Sequence, residues 1–208
     1  MFTVTSILLF IGASILLILA PGPDLLFTLT QGMTNGRRAG ISTALGLSLG
    51  NIVHTLAAIL GLSLIIKTSA LAFTIFKILG AGYLFYLTYQ VIKHRKDPIE
   101  VSTEPTAQTK GLFLRGFLMN VLNPKVAIFF LTFLPQFINY QAGNVPLQLT
   151  VLGSIFILLT AIIFSLFGYF AGMIRDRFLA KPRFSEYLNM AAAIIFVCLG
   201  IKLLSSRL

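Results

Sequence analysis

The stretch Leu19-Ala20-Pro21-Gly22-Pro23-Asp24 interrupts a long apolar run near the start of the chain. A proline cannot donate the backbone hydrogen bond that a helix requires, and its ring clashes with the preceding turn. Pro21 and Pro23 would each release a carbonyl four residues earlier, and the glycine between them allows the backbone to turn. In a membrane, such a break is tolerated only where it is buried in protein or lines a wet cavity. The stretch therefore predicts a membrane helix that is broken near its middle.

The composition of the whole chain indicates a membrane protein. Its 208 residues are 57% hydrophobic and only 11% charged, with a mean hydropathy of +0.92, whereas soluble domains are about 25% charged. Apolar stretches recur along the entire length, which predicts an all-α polytopic protein with one transmembrane domain, residues 1–208. The formal net charge is +10, but the basic residues lie mostly between the apolar stretches. We therefore expect a lipid bilayer as partner and no nucleic acid.

The apolar stretches predict six transmembrane helices, at about residues 4–33, 39–66, 69–92, 111–139, 147–174 and 185–205. The polar segment 93–110 is a linker loop that divides them into two sets of three, residues 1–92 and 111–208. Since three is odd, the second set enters the membrane from the opposite side. The sequence thus predicts two inverted three-helix repeats, an architecture of transporters.

The basic residues predict the orientation. The loops after helices one, three and five contain eleven lysines and arginines, and the other side contains three, or four if Lys77 reaches outward. Basic loops face the cytoplasm. We therefore expect the linker loop to be cytoplasmic and both termini to lie outside.

A second break, Leu122-Asn123-Pro124-Lys125, interrupts the fourth predicted helix. Asp24 lies thirteen residues before Arg37, and Lys125 lies ten residues after Arg115. At about 1.5 Å per residue, these spacings place the two charges roughly 20 and 15 Å from the cytoplasmic boundary. The hydrocarbon core is about 30 Å thick, so both charges fall near its middle. Lys125 is the expected partner of Asp24, although a simple kink and a purely structural ion pair are alternatives.

Several segments resemble the signature motifs of the LysE/RhtB family of amino-acid exporters. They are Pro21-Gly22-Pro23-Asp24, Leu122-Asn123-Pro124-Lys125, residues 77–87 (KILGAGYLFYL) and Phe133-Leu134-Pro135-Gln136-Phe137. Thr88 stands where that family often has glycine. The resemblance covers nearly the whole chain. It implies a bacterial inner-membrane protein that exports amino acids or close derivatives and is driven by the proton gradient.

An amino acid is a zwitterion, so a binding site for it needs a negative and a positive feature. Asp24 and the carbonyls released at Leu17 and Leu19 would hold the ammonium group. Lys125 and the helix N-termini after the two breaks would hold the carboxylate. The predicted substrate-binding residues are Pro21, Gly22, Pro23, Asp24, Asn120, Asn123, Pro124 and Lys125. With one deep acid, the site favours a neutral substrate.

Proton coupling requires a group that can change its charge. Asp24 is the first candidate and His54 the second, with a packing role for His54 through Asn51 or Thr55 as the alternative. We expect no cofactor and no metal, since one cysteine, two histidines and one deep acid offer too few ligands, and no enzymatic activity, since the sequence carries no catalytic motif. A metal-ion exporter and a non-transporting assembly protein are the rival functions. A homo-oligomer is compatible with the sequence.

Overall fold

The computed structural model describes residues 2–68, 70–93, 111–174 and 182–205. These residues are helical throughout apart from short connections, and no strand occurs among them. The all-α prediction is therefore confirmed for this part of the chain. Most of the predicted linker, residues 94–110, and most of the last basic loop, residues 175–181, lie outside the described residues.

The predicted break in the first helix is present. Helix α1 (Val4–Leu19) and helix α2 (Pro23–Thr34) meet at an angle of 60°. Pro23 is the first residue of α2, where no backbone donor is needed. Gly22 is extended, with φ −175°, and this conformation is open to any residue. The turning role predicted for Gly22 is therefore wrong, because the two prolines end and restart the helix by themselves.

The second break has a similar form. Helix α5 (Leu112–Val121) and helix α6 (Pro124–Ile128) are separated by two residues, and Pro124 again begins the second helix. A π-helical turn (Phe129–Phe133) and a 3₁₀ turn (Leu134–Phe137) continue α6, and a further 3₁₀ turn covers Tyr140–Ala142. The segment before the break and the segment after it are bent by 50°.

Five further helices complete the described part of the chain: α3 (Arg37–Thr68), α4 (Ala70–Lys93), α7 (Val145–Tyr169), α8 (Ala171–Ile174) and α9 (Pro182–Ser205). Helix α3 begins at Arg37, two residues before the predicted start at 39, because the turn is made at Gly36, which adopts a φ of +85°. The fifth predicted helix extended to residue 174, but α7 ends at Tyr169. Phe170 leaves the helical conformation while its N–H still bonds the carbonyl of Leu166, and the short α8 follows.

Length and hydropathy identify two to four candidate membrane spans among the described residues. Residues 37–61 and 145–169 qualify as single helices, and the α1–α2 pair and residues 112–137 qualify as bent pairs. The protein therefore has apolar helices suited to a membrane. The count of six and the inverted repeat stay predictions.

Helix α3 lies at the centre and packs between α5 and α7, while α4 packs chiefly on α9. Glycines permit the closest approaches, as small residues do between membrane helices. Gly46 lies directly against the backbone of Phe113, and Gly40 lies against Gly168. Because of the contact of Gly46 with Phe113, the backbones of α3 and α5 lie close together at the start of α5.

Replacing Gly46 should separate α3 from α5. In Gly46→Ala the new Cβ would overlap the Phe113 carbonyl, so we expect a loss of about 1–3 kcal/mol of stability, as overpacked cores show. Gly12→Ala is the matched control, because no atom lies within 4 Å of its Cβ position, and it should be neutral or slightly stabilising. Thermal unfolding of the purified protein in detergent measures both. Equal melting temperatures for the two variants would contradict this packing.

Candidate functional site

The two breaks meet at the carboxylate of Asp24. Asp24 lies in the first turn of α2 and is 5% exposed. The Asn120 side-chain amide donates a hydrogen bond to Asp24 Oδ2 at 2.8 Å, and the Asn123 amide donates one to Oδ1 at 2.8 Å. Both oxygens of the carboxylate are thus held by the second break. A buried carboxylate requires such donors.

The sequence around the second break positions both amides. Asn123 is the N-cap residue of α6, and its side-chain oxygen accepts a hydrogen bond from the Lys125 N–H at 3.0 Å. This bond leaves the NH₂ group of Asn123 directed at Asp24. Asn120 lies in the last turn of α5 and passes over Gly50, where a Cβ would lie 2.6 Å from Asn120 Oδ1. Glycine at position 50 of α3 therefore makes the room for Asn120.

The predicted ion pair between Asp24 and Lys125 is wrong as a direct contact. Lys125 Nζ donates a hydrogen bond to the carbonyl of Ala20 at 2.8 Å. This carbonyl lies at the C-terminal end of α1, where the helix dipole favours a cation, and the two amides already bind the carboxylate. The structure thus shows a side-chain contact at the Ala20 carbonyl. The carbonyls that were predicted to be released, those of Leu17 and Leu19, have no such contact with Lys125.

A small cavity lies between the two breaks. Its volume is about 30 Å³, which accommodates about one water molecule and no amino acid. Its polar lining is formed by Asp24, Asn51, Asn120, Asn123, Lys125 and Thr160, and its apolar lining includes Leu17, Ile18, Phe156 and Phe164. Of the predicted site residues, Gly22 also lines it, whereas Pro21, Pro23 and Pro124 shape the backbone. The cavity as it stands is therefore too small for a substrate.

His54 lies beside this site on α3. It is 6% exposed, and its Nε2 lies 2.9 Å from the carbonyl of Asn120. The alternative pairing with Asn51 or Thr55 is not seen, because the Asn51 side chain has no hydrogen-bond partner among the described residues and the Thr55 hydroxyl donates to the Asn51 carbonyl of its own helix. His54 instead contacts the residue that binds Asp24. Lys77 belongs to α4, but its side chain lies outside the described residues.

Asn51 is the site residue that the sequence analysis missed, since it entered only as a partner for His54. It is fully buried, and neither its side-chain oxygen nor its nitrogen has a hydrogen-bond partner among the described residues. A polar residue near the middle of an apolar helix was the available signal. Within the described part of the chain, no three His, Cys, Asp or Glu side chains are grouped to hold a metal.

Replacing Asn123 should weaken the contact between the breaks. In Asn123→Gly the bond to Asp24 is lost; a hydrogen bond to a charged group contributes about 1.5–3 kcal/mol. The lost cap adds only a few tenths, because glycine is tolerated at N-caps. Asn139→Gly is the matched control, since Asn139 also has an extended backbone, caps the Tyr140–Ala142 turn through the Gln141 and Ala142 N–H groups, and does not bind Asp24. Urea or thermal unfolding in detergent should show a clear loss for the first variant only. A similar loss for both would indicate that the bond to Asp24 contributes little.

The sequence is similar to those of known membrane proteins. The LysE type translocator family profile matches residues 15–207. The uncharacterised membrane protein YrhP of Bacillus subtilis is 32% identical, covering 95% of this chain and 97% of that protein. The homoserine/homoserine lactone efflux protein of Salmonella typhimurium is 31% identical, covering 93% of each chain. The leucine efflux protein of Klebsiella pneumoniae is 31% identical, covering 68% of this chain and 67% of that protein.

No solved structure matches the chain significantly. The family match covers most of the sequence and includes both proline-bearing breaks. The resemblance to this family is therefore confirmed, and with it the prediction of a bacterial membrane transporter rather than an enzyme. The chain belongs to the LysE type translocator family.

Proposed function

We propose that this protein exports a neutral amino acid, or a close derivative, from the cytoplasm across the bacterial inner membrane in exchange for protons. The observation that carries the proposal is the buried Asp24 carboxylate, held by Asn120 and Asn123 across two broken helices and beside a cavity. The efflux functions in the names of two relatives support the export of an amino acid. The substrate site is the cavity between the breaks, near the middle of the membrane.

The proposed architecture is six transmembrane helices in two inverted repeats. The first repeat comprises α1–α2, α3 and α4, and the second comprises α5–α6 with its continuation, α7 and α9. The packing supports this equivalence, because α3 contacts α7, α4 contacts α9, and the contact of α3 with α5 has a counterpart in that of α7 with α1. A two-fold axis in the membrane plane would relate these pairs. The two proline breaks then occupy equivalent positions on opposite sides of the site.

The proposed orientation places the 93–110 loop in the cytoplasm and both termini outside, following the basic residues. Cysteine labelling in whole cells tests it, in a Cys198→Ser background. Arg38→Cys lies at the start of α3, Gln141→Cys lies between α6 and α7, and both native side chains are exposed. We expect an impermeant thiol reagent to label Gln141→Cys from outside and Arg38→Cys only after lysis. The reverse pattern would invert the orientation.

The contacts at the site suggest how substrate and proton exchange. The ammonium group of the substrate binds near Asp24 and its carboxylate near Lys125, which would leave the Ala20 carbonyl as the substrate enters. An ionised Asp24 accepts one hydrogen bond on each oxygen. A protonated Asp24 has an O–H donor on one oxygen, which then faces an amide donor. Protonation therefore weakens one of the two hydrogen bonds between the breaks and favours their separation.

His54 is the second candidate group for proton coupling. Its ring nitrogen contacts the Asn120 carbonyl, and the Asn120 side chain contacts Asp24. A change in the charge of His54 would act on Asp24 through Asn120. This role is secondary to that of Asp24, because His54 does not bind the carboxylate directly.

Asp24→Asn tests the proposed coupling. The variant carries no titratable group at this position and presents an amide donor to Asn120 or Asn123. We expect gradient-driven efflux to fall about tenfold or more, since charged hydrogen bonds contribute about 1.5–3 kcal/mol, while exchange of labelled for unlabelled substrate continues. Efflux and exchange are measured in proteoliposomes with and without an imposed pH gradient.

Glu186→Gln is the matched control, because Glu186 is an acid of α9 that does not line the cavity. It should transport like the wild type. Undiminished gradient-driven efflux by Asp24→Asn would reject the proposed site. Loss of both efflux and exchange would assign Asp24 to binding and leave proton coupling to another group.

A further inference from the structure

Buried polar side chains form a stripe along α3, and one of them differs from the rest. The hydroxyls of Thr43, Ser48 and Thr55 each donate to a carbonyl of their own helix, at 2.9, 2.7 and 2.8 Å. Asn51 lies in the same stripe and is 0% exposed, yet neither atom of its amide is hydrogen-bonded within the described part of the chain. Buried polar groups are normally paired, and an unpaired one is destabilising. Asn51 therefore requires an explanation.

Asn120 has one unused atom at the same place. Its NH₂ group binds Asp24, while its Oδ1 has no partner among the described residues. Oδ1 lies over Gly50, the residue before Asn51, and both asparagines line the cavity. Two acceptor oxygens and one NH₂ donor are thus unsatisfied beside the same cavity. Such a set fits a ligand that both donates and accepts hydrogen bonds.

We propose that Asn51 binds the α-ammonium and α-carboxylate groups of the substrate, that Asn120 Oδ1 shares the ammonium, and that the substrate is a neutral amino acid with an apolar side chain. This inference rests on the proposed function and specifies its substrate. The NH₂ group of Asn51 donates to the carboxylate, and the Asn51 and Asn120 oxygens accept from the ammonium. Asp24 then supplies the compensating negative charge, and Lys125 the positive one.

The apolar part of the cavity lining indicates which kind of side chain the substrate carries. Leu17, Ile18, Phe156 and Phe164 form an apolar wall, against which an aliphatic side chain is favourably buried. Asp24 is the only acid among the described lining residues, and each of its oxygens already accepts a hydrogen bond. A basic side chain would thus find no second carboxylate, and a polar one would find few partners. The cavity of about 30 Å³ has room for about one water molecule, so the substrate binds when the two broken helices separate.

Asn51→Leu separates a binding role from a structural one. Leucine has a similar volume and removes the unpaired amide, so the replacement should leave the stability of the protein unchanged or raise it. We expect the purified variant to melt at or above the wild-type temperature without ligand. We also expect the leucine concentration that gives half of the thermal shift to rise about tenfold or more, together with the concentration for half-maximal efflux. Asn51→Ala gives the same comparison if Asn51→Leu is not recovered folded.

Ser14→Ala is the matched control. Ser14 is also fully buried with an unpaired hydroxyl, but it does not line the cavity. Its ligand response should equal that of the wild type. The ligand panel is leucine, homoserine and lysine, tested with the full chain in detergent and in proteoliposomes, and leucine should give the largest response.

The outcomes distinguish an error in the role of Asn51 or in the substrate class from a failure of the proposed export function. If the wild type responds to leucine and Asn51→Leu responds equally, Asn51 holds only a water molecule and its proposed role is wrong. If the wild type responds best to lysine or homoserine, the apolar substrate class is wrong while amino-acid export stands. If the wild type neither binds nor transports any amino acid, the proposed function fails, and this inference fails with it.

Discussion

The rest of the site depends on the hydrogen bonds that hold a buried carboxylate. Moving an ionised carboxylate out of water is costly unless donors replace its hydration. Asp24 obtains these donors from Asn120 and Asn123, which lie on either side of the second proline break. A continuous helix there would place the two amides differently. Three features therefore serve to place the two amides at Asp24: the break, the N-cap at Asn123 and the glycine at position 50.

The same interaction makes the two broken helices depend on each other. Asp24 of α2 binds the α5–α6 junction, and Lys125 of α6 binds the carbonyl at the end of α1. Each break thus presents a charged side chain to the other, and each charge is satisfied by neutral polar groups rather than by a direct ion pair. Hydrogen bonds to neutral partners are more easily exchanged for a ligand than a buried ion pair. This arrangement suits the proposed transport site, which must open to release one substrate molecule and bind the next.

The sequence predicted the positions of the breaks because proline acts locally and needs no tertiary context. The depth of Asp24 and Lys125 in the membrane stays a prediction, made by counting residues at a fixed rise. The partner of each charge did not follow, since Lys125 can reach either the Asp24 carboxylate or a carbonyl, and only side-chain geometry decides between them. Asn51 was missed for the same reason. A buried asparagine becomes informative only when its hydrogen bonds can be examined.

Burial alone does not separate structural from functional polar groups in this bundle. Gln148 of α7 is also fully buried, but its oxygen accepts from the Asn139 N–H and its nitrogen donates to the carbonyls of Asn139 and Gly143. Those bonds fix the connection before α7 and leave no capacity for a ligand. Asn51 has the same chemistry and the same burial, yet both of its polar atoms are unused and it borders a cavity. Since a well-packed bundle can satisfy a buried amide, as it does for Gln148, the unused capacity at Asn51 is best explained by a ligand that is bound for part of the transport cycle.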